Sequence, residues 1–389
     1  MVIILKVVVL GGGGGIKPII EGLKNFYELT AIVTVFDDGG STGKLRDYCG
    51  LGVGDMRNAL IAISREDDDH AILREILAYR FEGNHSVFYL TPIDLISLAA
   101  REMNFDEHNA NRVRNVAIER FERNKLPISA SMNIPVTTRN HPVGNLILCF
   151  LIMTCRDGWV EIANDIFSSR GKVYPNTVSN CRLVASFDGF HDVVGESYFD
   201  NPDLRIPPIR GVDLNPPSHA YPPSLQSIID ADYVIIAPGS FYASIIASVL
   251  PIGMIDVLSS KPIIWYANLF YDLNQTLYRI PEGDREKIVV ISPETQAKIL
   301  ERYLGKRPDL IIAQDPSLFP TEPDILERYK RELGMEDIMP NYDGVAPVYL
   351  TDLARLDYTQ MNRGPDFVFR HDPNKVLKSF RNAIAEYNL

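Results

Sequence analysis

Cysteine is scarce in this chain. Cys49, Cys149, Cys155 and Cys181 are its four cysteines in 389 residues, with no C-x-x-C pair and no histidine at zinc-finger distance. They read as reduced, packed thiols, which excludes a disulfide framework and a structural zinc site. Long apolar runs are also missing. No stretch approaches the roughly 20 residues of a membrane span. The apolar start is cut by glycine at position 11 and lacks a basic leader and a small-residue cleavage site, so it reads as a first strand. A soluble, cytoplasmic protein with no membrane partner is expected. No long Lys/Arg run occurs, and 39 basic against 50 acidic residues leave a net charge of −11. That excludes nucleic acid and anionic membrane as main partners but leaves room for a local cationic pocket that takes a phosphorylated small molecule. Internal repeats are absent, as are low-complexity tracts other than one run of glycines.

What is present is apolar bulk arranged in an alternating pattern. Hydrophobic residues make up 46% of the chain, enough for one large α/β domain over residues 1–389. Residues 2–10 form a nearly continuous Val/Ile/Leu run broken by Lys6, as in a strand buried on both faces of a parallel sheet. Helical spacing follows over 16–26, then a second buried strand over 30–36, which completes a βαβ unit. A short helix is expected over 57–64. Only helical patterning occurs from 71 to 123, with Pro92 at a helix start and a break at Asn104. Residues 71–135 therefore read as a helical insertion. Residues 126–138 read as extended, and 144–155 as a buried helix with a long strand as the alternative.

Alternating runs after 178 suggest a small antiparallel sub-region over 178–215, with a Pro-rich irregular stretch over 201–223. Strands return at 233–237, 262–267, 310–313 and 348–350, with helices over 241–250 and 374–387. The fold class is α/β: a doubly wound, mostly parallel, Rossmann-like sheet with a helical insertion and a small antiparallel addition.

The chemistry concentrates where strands end. Gly11, Gly12, Gly13, Gly14 and Gly15 join the first strand to the first helix. Bare backbone there admits a close ligand, and a helix N-terminus favours phosphate. A plain tight turn is the alternative, though a turn needs only one or two glycines. The dinucleotide fingerprint fails, because Ile16 or Pro18 stands where its third glycine belongs, so no NAD is expected. A P-loop also fails, at Ile16 and Pro18 and again at Leu45 after Gly43-Lys44.

The second strand ends in DDGGSTGKLRD. Asp37 and Asp38 there could hold a ribose hydroxyl or a divalent cation. Gly39, Gly40, Ser41 and Thr42 supply a flexible loop with donors, and Lys44 and Arg46 supply positive charge for phosphates. In GDMRN, Asp55 is either an N-cap or a second metal ligand, beside Arg57 and Asn58. Pro238, Gly239 and Ser240 end a strand and open a helix, a second anion site. His141 before Asn145 reads as a ligand contact or an acid/base, with a structural role as the alternative. Asn268 closes another strand.

LGGGGGIKPIIEGLKNF, TAIVTVFDDGGSTGKLRD, GDMRNALIAIS, HPVGNLIL and ADYVIIAPGSFYASI, in that order and followed by the strand ending in Asn268, resemble the YvcK/CofD-like family. The resemblance runs to about residue 280 and loosely to the end. It implies one of two activities. CofD-type members transfer a phospholactyl-type group from a guanosine diphosphate adduct to a deazaflavin hydroxyl with Mg2+. YvcK-type members bind nucleotide sugars such as UDP-N-acetylglucosamine and are linked to central carbon metabolism and cell shape. DDGGSTGKLRD and GDMRN carry the YvcK pattern.

The resemblance further implies a nucleotide or nucleotide-sugar partner and a homodimer. If the protein is an enzyme, Asp38 and Asp55 would be the Mg2+ ligands, and Asp38 and His141 the catalytic candidates. Two departures stand out: Gly14 replaces a family threonine, and LFYDLNQT replaces the run Met-Thr-Gln-Pro-Gly-Glu-Thr.

Overall fold

The structure is a computed structural model that describes residues 4–155, 157–199, 206–283, 285–320, 322–333, 337–345, 347–358 and 367–389. Seven strands make the central sheet: β1 (Lys6–Gly11), β2 (Glu28–Val33), β3 (Lys172–Pro175), β4 (Tyr233–Ile236), β5 (Ile263–Tyr266), β6 (Leu310–Gln314) and β7 (Val348–Thr351). Their order is β7-β6-β5-β4-β1-β2-β3 and every neighbouring pair is parallel. The order reverses between β1 and β4. In a doubly wound sheet that reversal opens a crevice at the carboxyl ends of the strands.

The apolar run of β1 explains its central place. Val7 to Leu10 are buried, between Leu29–Ile32 of β2 and Tyr233–Ile236 of β4. Residues 2 and 3 of the expected strand lie outside the described residues. Helix α1 (Ile16–Leu23) buries Ile16, Ile19, Ile20 and Leu23 completely, each worth roughly 1.5–3 kcal/mol of transfer free energy. Its other neighbours include the C-terminal helix Pro373–Tyr387 and the helix Val53–Ile63.

Between β2 and β3 run α2 (Gly40–Cys49), α3 (Val53–Ile63), α4 (Asp68–Ala78), α5 (Pro92–Glu102), α6 (Glu107–Arg123), α7 (Val143–Cys155) and α8 (Trp159–Ile166). Thr91 and Asp94 close a capping box at the start of α5, which fits the Pro92 signal. Residues 144–155 take the helical option. Residues 126–138 form no helix, and Thr137 bridges to Ser86. No helix among the described residues is long and apolar enough to cross a membrane.

Several expectations need correction. Residues 40–42 are not a flexible loop: they are the first turn of α2, because Gly39 takes an extended N-cap conformation and Asp37 Oδ1 accepts its N–H at 2.9 Å. Strand β3 is a short edge strand that the apolar periodicity does not announce. The stretch 201–223 is not irregular throughout. Ile209–Asn215 is a strand that pairs antiparallel with Arg182–Phe187, which also pairs with Phe190–Val194; residues 200–205 lie outside the described residues. Two further antiparallel pairs, Leu277–Glu282 with Arg285–Val290 and Ala354–Tyr358 with Phe367–His371, follow β5 and β7. The helix expected over 241–250 is a π-turn, Phe241–Ile246, continued as a 3-10 turn, Ala247–Val249.

The carboxyl edge is stitched backbone to backbone. Gly11 O accepts from Thr34 N at 3.0 Å and Leu10 O from Ala237 N at 2.8 Å. A Cβ on Gly15 would lie 2.0 Å from the Pro238 carbonyl oxygen, and one on Gly12 would lie 2.2 Å from Thr34 Oγ1. The Gly15 neighbour is backbone, so a side chain there must move a loop, whereas one on Gly12 must displace the buried Thr34 and Asp55 side chains. Gly15→Ala is expected to destabilise the fold by about 3 kcal/mol or more, read from the urea midpoint. Gly40→Ala meets no atom within 4 Å but starts from φ +48°, and should cost only about 1 kcal/mol.

Candidate functional site

Three strand ends converge on the crevice. The glycine loop leaves β1, Thr34 to Asp38 leave β2, and Pro238 to Ser240 leave β4. Asp55 sits in the first turn of α3, whose N-cap is Gly52, so Asp55 is not the cap residue. Its buried carboxylate instead accepts from Thr34 Oγ1 at 3.0 Å and from the Gly13 amide. Gly13, at φ +63°, uses a left-handed backbone that favours glycine.

Burial first, and then the negative charge of Asp37, push the Asp55 carboxyl up to about 6 against the pull of its hydrogen bonds and Arg57. Asp37 is also raised, first by burial, although the Gly39 amide and Thr42 hydroxyl bind it. Two carboxylates therefore face one another electrostatically inside the crevice. Added positive charge would relieve them both.

The other acidic candidate turns elsewhere. Asp38 Oδ1 accepts from Ser197 N at 2.9 Å, and its Oδ2 lies 3.5 Å from Arg182 Nη1. It is tied to the small antiparallel sheet, so the acid that meets the glycine loop is Asp55, with Asp37 acting on it through its charge. Among the described residues no group of three or more His, Cys, Asp or Glu could hold a metal ion. Arg46 is likewise engaged within the fold. It is buried, and its guanidinium donates to the carbonyls of Phe36 (2.5 Å), Val35 (3.4 Å) and Cys181, holding the end of β2.

Past α3 the polar candidates lie at helix starts. Arg57 runs beside Gly144 and donates to Asn58 Oδ1 at 2.6 Å. Burial, with Arg80 nearby, lowers the Arg57 pKa to about 10, so it stays charged at neutral pH. His141 is buried, and burial with the charges of Lys44 and Arg80 lowers it to about 4, so it is a neutral imidazole at pH 7. Its Nδ1, Asn145 Oδ1 and Arg57 Nε are buried with no hydrogen-bond partner among the described residues. Buried polar atoms without partners are costly and rare, and here three occur around the α3 and α7 N-termini. Arg80 joins this wall to α2: it donates to Ser41 Oγ at 3.3 Å and to Asn140 O.

On the β4 side, Asn268 grips Gly239 from both sides. Its Oδ1 accepts from Gly239 N at 2.9 Å, and its Nδ2 donates to Gly239 O and to Asp272 Oδ2, both at 2.7 Å. Gln275 Oε1 accepts the Tyr242 and Ala243 amides and so supports the π-turn. That turn aims Ser244 at the glycines: a Cβ on Gly12 would lie 3.3 Å from Ser244 Oγ, and one on Gly239 would lie 3.0 Å from Ser244 Cβ. π-Turns cluster at functional sites.

Two clefts open from this junction. One, of about 210 Å3, runs over Gly14, Gly15, Ser240 and Asn268 to Phe270, Phe369 and Arg370. The other, of about 560 Å3, lies over Gly14, Lys17, Asn58, Arg355 and Arg370. A Cβ on Gly14 would sit 3.1 Å from Arg370 Nη1, so Arg370 takes space a side chain at that position would need. Sequence reasoning missed Ser244, Arg80, Lys17, Arg355 and Arg370. Ser244 lies inside the quoted motif ADYVIIAPGSFYASI, and Lys17 inside LGGGGGIKPIIEGLKNF. The two C-terminal arginines carry no local signal, because a hairpin far along the chain delivers them.

Fold and site together define a doubly wound α/β protein with a glycine-built crevice at its switch point. The chain belongs to the CofD family: the family described as 2-phospho-L-lactate transferase CofD matches residues 7–333. It is 29% identical over 381 residues to a putative gluconeogenesis factor of Thermotoga maritima, covering 96% of this chain and 97% of that protein. To the gluconeogenesis factor of Listeria monocytogenes it is 27% identical over 362 residues, covering 90% of each. A crystal structure of a Bacillus halodurans protein superposes with a TM-score of 0.69 at 21% identity, covering 97% of this chain and 100% of that one, a likeness of fold.

Asp55 sets a pH signature. Its pKa is raised on folding, so the stability it contributes is fully present below the unfolded value of about 3.8 and is lost as pH rises through about 6. Asp55→Asn removes that loss. Relative to wild type, the variant should gain about 1–2 kcal/mol between pH 5 and pH 8. Thermal melts of the ligand-free protein at the two pH values check it, and a gap that does not change with pH contradicts it.

Proposed function

We propose that the protein binds a nucleotide sugar of the UDP-sugar type across the two clefts and acts as a YvcK-like regulator of central carbon metabolism and cell shape. One observation carries this reading: the glycine loop and the Pro238–Ser240 turn meet backbone to backbone at the switch point, with open clefts on either side of Gly14. In this proposal a diphosphate lies against Gly14, Gly15, Gly239 and Ser240, where helix-start amides and Arg370 meet its charge. The aromatic cleft of Phe270 and Phe369 takes the base, with Asn268 fixing the turn beneath it. The sugar extends past Asn58 toward Arg57, Asn145 and His141, whose unpaired polar atoms match hydroxyls. The names of the Thermotoga and Listeria relatives favour a role in carbon metabolism.

The acidic pair favours a second reading, a Mg2+-dependent transferase of the CofD type that moves a phospholactyl-type group from a GDP adduct to a deazaflavin hydroxyl. The residues suit a hard cation, because burial and then the charge of Asp37 raise Asp55, and burial and the charge of Asp38 raise Asp37. Mg2+ would be held by Asp55 and by Asp37 in preference to Asp38, and would neutralise diphosphate charge. His141, neutral at pH 7, could accept a proton from an acceptor hydroxyl.

Titration calorimetry with UDP-N-acetylglucosamine and GDP, each with and without Mg2+, separates the readings. UDP-sugar binding without turnover supports the regulator, and GDP binding with transfer to a deazaflavin supports the enzyme. Arg370→Ala should weaken the bound nucleotide at least about tenfold, the scale of one charge-assisted hydrogen bond. Asp37→Asn should alter the Mg2+ dependence more than Asp38→Asn. Failure of every nucleotide to bind overturns both readings.

A further inference from the structure

Away from the clefts, two thiols meet at one carbonyl oxygen across a helix pair. Cys49 is the last residue of α2 and Cys149 lies in the middle of α7, and the two helices pack together. Both sulfurs lie against one atom, the Leu45 carbonyl oxygen, at 3.4 Å for Cys49 and 3.9 Å for Cys149. The shared acceptor brings the two sulfurs together, and each thiol shifts the acidity of the other. Cys149 is fully buried, whereas Cys49 is half-buried and follows the exposed Tyr48. The neighbouring Cys149 thiol, with the Leu51 backbone and the charge of Arg46 adding to it, holds the Cys49 thiol below its ordinary range against the effect of burial. The same contact pushes Cys149 up. The more accessible sulfur is thus the more acidic one, an arrangement in which one thiol attacks and the other resolves.

We propose that Cys49 and Cys149 are a peroxide-oxidisable dithiol that closes to an intramolecular disulfide tying α2 to α7. The Cys49 thiolate attacks one oxygen of hydrogen peroxide. The O–O bond breaks, Cys49 becomes a sulfenic acid, and the other oxygen leaves as hydroxide and takes a proton to give water. The Cys149 sulfur then attacks the Cys49 sulfur. The S–O bond breaks, the S–S bond forms, and the departing hydroxide takes the Cys149 proton. Two thiols and one peroxide give one disulfide and two waters. The cross-link joins the helix that opens with Gly40, Ser41 and Thr42 to the helix that follows His141, so it fixes two walls of the crevice against each other.

The test needs no nucleotide, so it stands apart from the proposed function. Reduced protein is treated with hydrogen peroxide, quenched with a maleimide under denaturing conditions and analysed by intact mass and peptide mapping. The expected result is a monomer lighter by two hydrogens, a Cys49–Cys149 cross-linked peptide, and a fall in alkylatable thiols from four to two that dithiothreitol reverses. Cys49→Ser and, separately, Cys149→Ala should each abolish the cross-link. Oxidation of Cys49 to sulfinic acid with Cys149 still alkylatable overturns the proposal. So does a cross-link through Cys155 or Cys181, or an unchanged mass.

Discussion

The crevice exists because two backbone segments approach closer than any side chain permits. Gly15 rests against the Pro238 carbonyl, and Gly12 against Thr34 and Asp55, so the ends of β1, β2 and β4 lock into a single rim. Everything else on the rim takes its position from that contact. Gly13 can offer its amide to Asp55 only with a left-handed backbone, and Asn268 can clamp Gly239 only where the β4 turn is pressed against the glycines. A run of five glycines is therefore more than a flexible turn. At least two of them answer to different neighbours, and each neighbour belongs to a different strand.

Charge inside the rim is left uncompensated on both sides. Burial raises Asp37 and Asp55, with the charge of Asp37 adding to the effect on Asp55, while Arg57 and His141 are pushed toward their neutral forms by burial and by the cations Arg80 and Lys44. In a protein of net charge −11 these local excesses are costly without a ligand. A cation near the carboxylates and a polar, anionic ligand near Arg57 and Arg370 would relieve both at once. Arg46 and Asp38 show the contrast. Each has its partners within the fold, and each holds one element to another.

Much of the architecture was legible in the chain. A doubly buried Val/Leu run, a glycine loop and an amphipathic segment dictate a βαβ unit, because no other arrangement covers both faces of such a strand. Strand-end motifs at 37–42 and 238–240 could be placed on the ligand edge for the same reason. Short edge strands such as β3, and Ile209–Asn215 within a Pro-rich stretch, escaped because four to seven half-buried residues carry little periodicity. The π-turn escaped because a side chain remote in sequence, Gln275, supplies its acceptor.

By itself, the sequence determined the fold class, the family motifs and which strand ends would carry the chemistry, since these follow from local composition and spacing. Only the tertiary structure decided which acid faces which. Asp37 and Asp38 are adjacent, yet one turns into the crevice and the other to Ser197, because side-chain direction alternates along extended chain. Only the tertiary structure, too, set Arg370 beside Gly14 and Cys49 beside Cys149. Contacts between residues a hundred or more positions apart depend on packing, which no local pattern encodes.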